Sequence, residues 1–439
     1  MNSSFEHHYT CRKLLVHVLK SHINTSHYFS QSCPQKYKRR QTGSHCLYPL
    51  PEIDISPLLA MRVSNTICFA PLFLFTLVIT TSTLAIANSP IVVSNGLRNL
   101  GNTCYMNAQL QCHFHIPRIR TVIKEGRQFN DDPQVQEAIG LQAFRNVLNE
   151  MEVSATTTKE FMSPKASPAI LCQALGIPTV EQQDSQEFWK LLLPALDLPE
   201  LTDLYQGAFE DYIISLDGNH EKRREEAFLD LSLEVTKGSV IRALQELFGP
   251  PELLSEEEGN GWRPEKNMSK VDALKGSLLR VQGLPSLLSL HLKRFQYDWQ
   301  SDQMSKSHAQ FQFDQVLDLQ VLCNDVPKGE EGSAIYDLQS IIIHSGEFGG
   351  GHYYAYVRPD IRYDHWYRFN DQIVDEVCFR DVTSDAFGGK TTGPANRGIL
   401  KRLFGGGGGY GWGGRTASAY MLQYVRRSKI NELYGEMKT

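Results

Sequence analysis

Three short segments of this 439-residue chain carry side chains that together can perform covalent catalysis. In Gly96-Leu97-Arg98-Asn99-Leu100-Gly101-Asn102-Thr103-Cys104-Tyr105-Met106-Asn107, a cysteine sits where a glycine-punctuated loop gives way to a helical run. A cysteine at a helix start feels the positive end of the backbone dipole, which favours thiolate over thiol, and the thiolate is the nucleophile. Asn99 lies five positions upstream, and its amide can aim at an oxygen that turns negative during attack. In Gly350-Gly351-His352-Tyr353-Tyr354-Ala355-Tyr356, a histidine follows a glycine hinge at the mouth of a strand. Eighteen residues after it, Trp366-Tyr367-Arg368-Phe369-Asn370-Asp371 closes another strand-like run. An antiparallel pair with a short connection sets such positions side by side. Asn370 can then accept from the His352 ring and hold its tautomer, with Asp371 as the runner-up. Each residue also has a plainer reading: Cys104 as a small buried side chain, Asn99 as a loop residue, His352 as a strand histidine, Asn370-Asp371 as a turn. His344 and His365 lie close to His352 and compete for its role, His344 more as a residue that shapes the glycine turn.

These residues need elements to hold them. Tyr105 to Phe114 reads as a helix ending before Pro117. Asp132 to Glu152 has helical apolar spacing, with Asp132 as N-cap and Pro133 at the first helical position. Asp184-Ser185-Gln186-Glu187 forms a capping box ahead of a helix over Phe188–Leu193, which Pro194 ends or kinks. The later chain reads as strand: Leu288–Lys293 and Tyr420–Tyr424 alternate with period two, and Ile341–Ile343 and His352–Val357 are rich in β-branched and aromatic residues. The glycine tract between 405 and 414 reads as a flexible loop, because no strand–loop–helix context or lysine accompanies it.

Composition narrows the class. Hydrophobic content of 41% and charged content of 21% are those of a globular chain, and a net charge of −5 gives no sign of a nucleic-acid binder. The nine cysteines contain no C-x-x-C pair, which argues against a disulfide framework and a structural zinc site and for a reducing compartment, cytoplasmic or nuclear. Residues 1–66 lack sustained periodicity and read as a disordered arm, in which Lys36, Lys38, Arg39 and Arg40 form a solvated cluster. Residues 67–87 hold no charge and are long enough to span a bilayer, although Pro71 and several threonines weaken the run. Three readings compete there: a membrane anchor, a secretory signal starting at Met61 with Ala85-Ile86-Ala87 as its cleavage site, or a gene-model artefact.

Gly96–Asn107 resembles the Cys box of the ubiquitin-specific proteases, and Gly350–Asp371 resembles their His box. Glu181-Gln182-Gln183-Asp184-Ser185-Gln186-Glu187-Phe188 resembles the family's Gln-Gln-Asp segment. Leu284–Phe295 resembles the strand that precedes the blocking loops, and Ala419–Tyr424 the closing strand. The resemblance implies an α+β, papain-like catalytic domain over 96–427, with a helical thumb and with palm and fingers of antiparallel sheet, followed by a tail at 428–439. It implies a thiol peptidase that cleaves the bond after the C-terminal glycine of ubiquitin, acting on ubiquitin and ubiquitinated proteins as a monomer without a cofactor. Cys104 is then the nucleophile, His352 the base, Asn370 the orienting residue and Asn99 the oxyanion donor. Asp184 and Glu187 match positions that meet the basic ubiquitin tail, Gly351 and Tyr353 line the glycine-only channel beside the base, and Ser345–Gly350 matches a blocking loop.

The chain also departs from the family's pattern. Most members carry two C-x-x-C pairs at the fingertips, and here Tyr212–Arg224 and Gly259–Lys270 hold no cysteine, so no zinc is expected. In this it resembles the zinc-free herpesvirus-associated type, and residues 1–95 are not expected to form that type's substrate-binding β-sandwich. His113 and His115 stand where apolar helix residues are expected. The alternative readings are a catalytically impaired ubiquitin-binding module and, from residues 67–87, a membrane-anchored interaction protein.

Overall fold

Among the described residues, helices fill the first part and strands dominate the second. The computed structural model describes residues 92–126, 137–157, 166–299, 302–323, 325, 332–389 and 416–436. The arm at 1–66, the apolar run at 67–87, the cap Asp132-Pro133 and the glycine tract at 405–414 lie outside the described residues. Among the described residues no helix is long and apolar enough to cross a membrane.

The helices run Cys104–Phe114, Pro117–Glu125, Glu137–Thr157, Ala169–Leu175, Ser185–Ala195 and Pro199–Tyr205. Two start on proline, whose fixed φ and missing N–H suit the first helical position. Asp184 caps Ser185–Ala195 as its residue type predicts, with Oδ1 accepting from the Gln186 and Glu187 N–H groups at 2.8 and 3.1 Å. That helix passes through Pro194 and ends one residue later. The cysteine helix Cys104–Phe114 is buried on every side, which is why its sequence shows no clean apolar stripe.

The strands are β1 (Gly207–Ser215), β2 (Glu221–Phe228), β3 (Leu231–Glu234), β4 (Glu252–Leu254), β5 (Ala273–Leu279), β6 (Leu287–Lys293) and β7 (Phe295–Asp298). They continue with β8 (Gln303–Lys306), β9 (Val316–Asp318), β10 (Ile335–Glu347), β11 (Gly350–Val357), β12 (Trp366–Asn370), β13 (Ile373–Val377) and β14 (Ser418–Arg426). The order β2-β1-β5-β4 makes an antiparallel sheet of its own, and β7-β8 a hairpin. The large sheet runs β13-β12-β11-β10-β14-β6-β3, with β9 also paired to β10. It is antiparallel except where β3 joins β6 in parallel. This is an α+β fold of the expected kind.

The large sheet separates two cores, following the alternation of strand side chains. Tyr353, Ala355, Val357, Phe369 and Met421 pack with the cysteine helix and its neighbours on one side. Tyr354, Tyr356, Trp366, Leu422 and Tyr424 pack with Val240–Phe248 and Phe379–Ala386 on the other. The domain read from the sequence ends at 427, yet the chain continues into the helix Ile430–Tyr434. Leu433 and Tyr434 bury themselves in the first core, so residues up to Tyr434 belong to the packed unit.

Candidate active site

Cys104 is the first residue of its helix, 3% exposed, in a loop held from three directions. Leu97 N–H donates to the Asp371 carbonyl at 2.8 Å, Arg98 N–H to Ala166 at 2.9 Å, and Asn102 N–H to Thr179 at 2.8 Å. Gly96 takes φ +88° and lies against the Asp371 backbone, where a side chain would overlap. The loop carrying the thiol is thus seated on the turn after β12.

β11 and β12 bring the other residues to it. Ala355 lies opposite Phe369, so Asn370 extends the sheet face that carries His352, Tyr354 and Tyr356, diagonal to His352. His352 Nε2 donates to Asn370 Oδ1 at 2.6 Å, which leaves Nδ1 as the ring nitrogen for the thiol. Burial pushes the imidazole pKa down. The hydrogen bond and charge interaction with Cys104, the Asn370 acceptor and the Asp371 charge outweigh it and raise the value above the ordinary one. The Tyr353 N–H also points at Cys104 Sγ, 3.5 Å away. Thiol, imidazole and amide therefore converge, in the order needed for a nucleophile, a base and an orienting acceptor.

The competing histidines are placed elsewhere. His344 is buried against Phe295 and Tyr353, and burial holds its pKa down to about 3, so it is neutral. Its ring fills the space over Gly351, where any side chain would collide with it. His365 is exposed and lies 3.5 Å from Glu376.

Asp371 has φ +50° and faces the site from the turn between β12 and β13. Its Oδ2 accepts from Asn99 Nδ2 at 2.9 Å, and its Oδ1 accepts from Asn107 Nδ2 at 2.8 Å. Oδ2 is 3.8 Å from His352 Nε2, so Asn370 holds the nearer bond and Asp371 the outer charge. Asn99 Oδ1 accepts from the Gly101 and Thr103 N–H groups at 3.0 and 3.2 Å. Asn107, on the first turn of the cysteine helix, is not marked out by residue pattern. Its tie to Asp371 spans 264 residues, and spacing alone carries no trace of such a contact.

The residues expected to meet a substrate tail flank this cluster. Tyr353 is buried, its ring against Tyr420 and His344. Asp184 caps its helix with Oδ1 and accepts from the Tyr420 hydroxyl with Oδ2. Glu187 is exposed on the first turn of the same helix. The Gly351 carbonyl accepts from Gln182 Nε2 at 3.0 Å, and the same nitrogen lies 3.4 Å from Cys104 Sγ. Gln182 is a second side chain that sequence spacing did not single out.

His113 and His115 are buried in the cysteine helix without disrupting it, because each is satisfied as one neutral tautomer. His113 Nε2 donates to Gln109 Oε1 at 3.0 Å, Nδ1 accepts from the Tyr205 hydroxyl at 2.7 Å, and the ring stacks on Trp189. His115 Nδ1 donates to the Gln111 carbonyl at 2.6 Å, and Nε2 accepts from the Ser94 N–H at 3.3 Å. Among the described residues no cluster of metal-ligating side chains occurs.

A cysteine on a helix start, with a histidine and an asparagine from neighbouring strands beside it, has the layout of a papain-like constellation. Residues 95–424 match the model of the family described as ubiquitin carboxyl-terminal hydrolase. The chain belongs to that family. It is 30% identical to ubiquitin carboxyl-terminal hydrolase 15 of Schizosaccharomyces pombe over 353 residues, covering 77% of this chain and 28% of that protein. It is 30% identical to ubiquitin C-terminal hydrolase 13 of Arabidopsis thaliana over 356 residues, covering 77% and 30%. It is 27% identical to ubiquitin carboxyl-terminal hydrolase 7 of Caenorhabditis elegans over 364 residues, covering 77% and 28%. The chain thus spans under a third of the length of these relatives.

Proposed function

We propose that this chain is a cysteine-type deubiquitinase that hydrolyses the isopeptide or peptide bond after the C-terminal glycine of ubiquitin. The observation that carries the reading is the convergence of Cys104, His352 and Asn370 at hydrogen-bonding geometry, in a chain of this family. Cys104 gives its proton to His352 and attacks the glycine carbonyl. His352, oriented by Asn370, passes the proton to the leaving amine. Water then cleaves the acyl-enzyme with the same imidazole as base. Asn99 donates to the oxyanion with the amide hydrogen that Asp371 does not hold.

Asp184 and Glu187 meet the arginine-bearing ubiquitin tail, since carboxylates pair well with guanidinium groups. Gly351 and Tyr353 bound the channel beside His352 that receives the terminal glycines. The partners are ubiquitin and ubiquitinated proteins rather than nucleic acid. The chain acts as a monomer in this reading. The catalytic domain covers 96–427 and the ordered residues after it, and it works in a reducing, cytoplasmic or nuclear setting. The finger stretches Tyr212–Arg224 and Gly259–Lys270, which lack cysteine, support a sheet that folds without zinc.

Ubiquitin bearing a thiol-reactive C-terminal electrophile tests the reading. The expected result is a covalent adduct with the wild-type chain and none with Cys104→Ala. A folded protein that binds ubiquitin without forming the adduct would overturn it in favour of a binding module.

A further inference from the structure

Resting on the hydrolase reading above, we propose that Gln182 is a second oxyanion donor, which with Asn99 completes a hole made of two side-chain amides. Gln182 belongs to the loop before the helix Ser185–Ala195, and anchors on both sides fix where that loop lies. Upstream, Asn102 donates through its N–H to Thr179 at 2.8 Å and through Nδ2 to the Val180 carbonyl at 2.7 Å. This ties the loop to the segment that carries Cys104. Downstream, Asp184 is fixed by its cap on the helix. Between them the half-buried Gln182 turns its amide into the site, with Nε2 3.0 Å from the Gly351 carbonyl and 3.4 Å from Cys104 Sγ.

Those two contacts decide which way the amide faces. A carbonyl oxygen only accepts, so the Gly351 carbonyl requires the NH2 end of Gln182 rather than its oxygen. One amide hydrogen satisfies Gly351 and the other points at the sulfur. Asn99 follows the same plan: one hydrogen goes to Asp371, and its oxygen is held by two backbone N–H groups. Each donor is therefore oriented by a fixed partner before substrate arrives, which is the condition under which oxyanion donors are most effective.

The Cys104 proton moves to His352 while Sγ bonds to the carbonyl carbon of the terminal glycine. The π pair of the C=O bond moves onto oxygen, and the resulting oxyanion accepts from the Gln182 amide that previously met Sγ. Collapse re-forms the C=O bond and breaks the C–N bond, and the leaving amine takes the proton from His352. Gln182 meets the oxygen fully only when it is charged, so its contribution falls on kcat rather than KM.

The test uses the full chain and two ubiquitin probes, one with a fluorogenic C-terminal amide and one with a C-terminal alkyl halide. Displacement of the halide forms no oxyanion. For Gln182→Ala, kcat on the amide should fall by about 10²–10³-fold, with KM and the Cys104 alkylation rate within about threefold of wild type. Gln182→Glu, which places a carboxylate against the Gly351 carbonyl, should fall at least as far with an unchanged melting temperature. Retention of wild-type kcat by a folded Gln182→Ala overturns the assignment. Equal loss of hydrolysis and alkylation also overturns it, because that marks a structural role. If wild-type protein neither hydrolyses the amide nor reacts with the halide, the hydrolase reading itself falls and takes this assignment with it.

Discussion

Asp371 Oδ2 accepts a hydrogen bond from Asn99 Nδ2 at 2.9 Å across 272 residues of chain. With the second bond from Asn107 to Oδ1 and the backbone bond from Leu97, it fastens the loop carrying Cys104 to the strand pair carrying His352. One residue thereby sets the separation of two segments that the chain itself keeps far apart.

Asp371→Asn removes the charge and turns one acceptor into a donor facing another amide. Hydrogen bonds to charged groups contribute about 1.5–3 kcal/mol, so a loss of that order in urea unfolding is expected. The Asp371 charge also raises the His352 pKa. The limb of the kcat/KM profile that reports His352 should therefore move to lower pH. Profiles that superimpose on wild type would show that Asp371 acts only as a structural tie.

Asn370 works as an acceptor, through the 2.6 Å bond to His352 Nε2. Asn370→Ala removes it and should lower kcat by roughly 10–100-fold, the equivalent of one buried hydrogen bond. Asn370→Asp supplies an oxygen at the same place and should restore activity to within a few-fold. If the aspartate variant is as weak as the alanine, the position does something other than orient the imidazole.

Much of this site is legible in the sequence because the residues that bond to each other sit at recognisable points of regular elements. Cys104 stands at a helix start, and His352 and Asn370 stand on adjacent strands whose alternation fixes which side chains share a face. The strands β6, β10, β11 and β14 follow from periodicity and β-branched content. What periodicity does not encode is which loop lies against which. Gln182 meets Cys104 because Asn102 pins Thr179 and Val180, and Asn107 meets Asp371 because the cysteine helix packs beneath the turn after β12. The cysteine helix illustrates the same limit: buried all round, with Gln109, His113 and His115 satisfied inside, it gives no amphipathic signal.

Asp184 has two candidate roles that one substitution separates. Asparagine caps helices as well as aspartate but carries no charge. Asp184→Asn should therefore leave the melting temperature close to wild type while raising KM for ubiquitin substrates, by about 10-fold or more if a charge-assisted bond to the tail is lost. Asp184→Ala should do both, with a cap loss of about 0.5–2 kcal/mol. An unchanged KM in the asparagine variant would leave Asp184 as a cap and a partner of Tyr420 alone.

His113, His115 and His344 are buried neutral, with pKa values held down to about 3 by loss of hydration. An unfolded histidine titrates near 6.5. Between those values the unfolded chain binds the protons that the folded chain refuses, so stability is complete above pH 6.5 and falls as pH drops towards 3. Each histidine steepens that fall by up to about 1.4 kcal/mol per pH unit well inside the window. Urea midpoints measured between pH 7.5 and 5 should decline accordingly. His113→Leu will alter stability at every pH, because Tyr205 and Gln109 each lose one partner, but it should also flatten the acid slope by about one histidine's share. A slope that does not change on removing His113 would mean that this ring already takes up its proton in the folded protein.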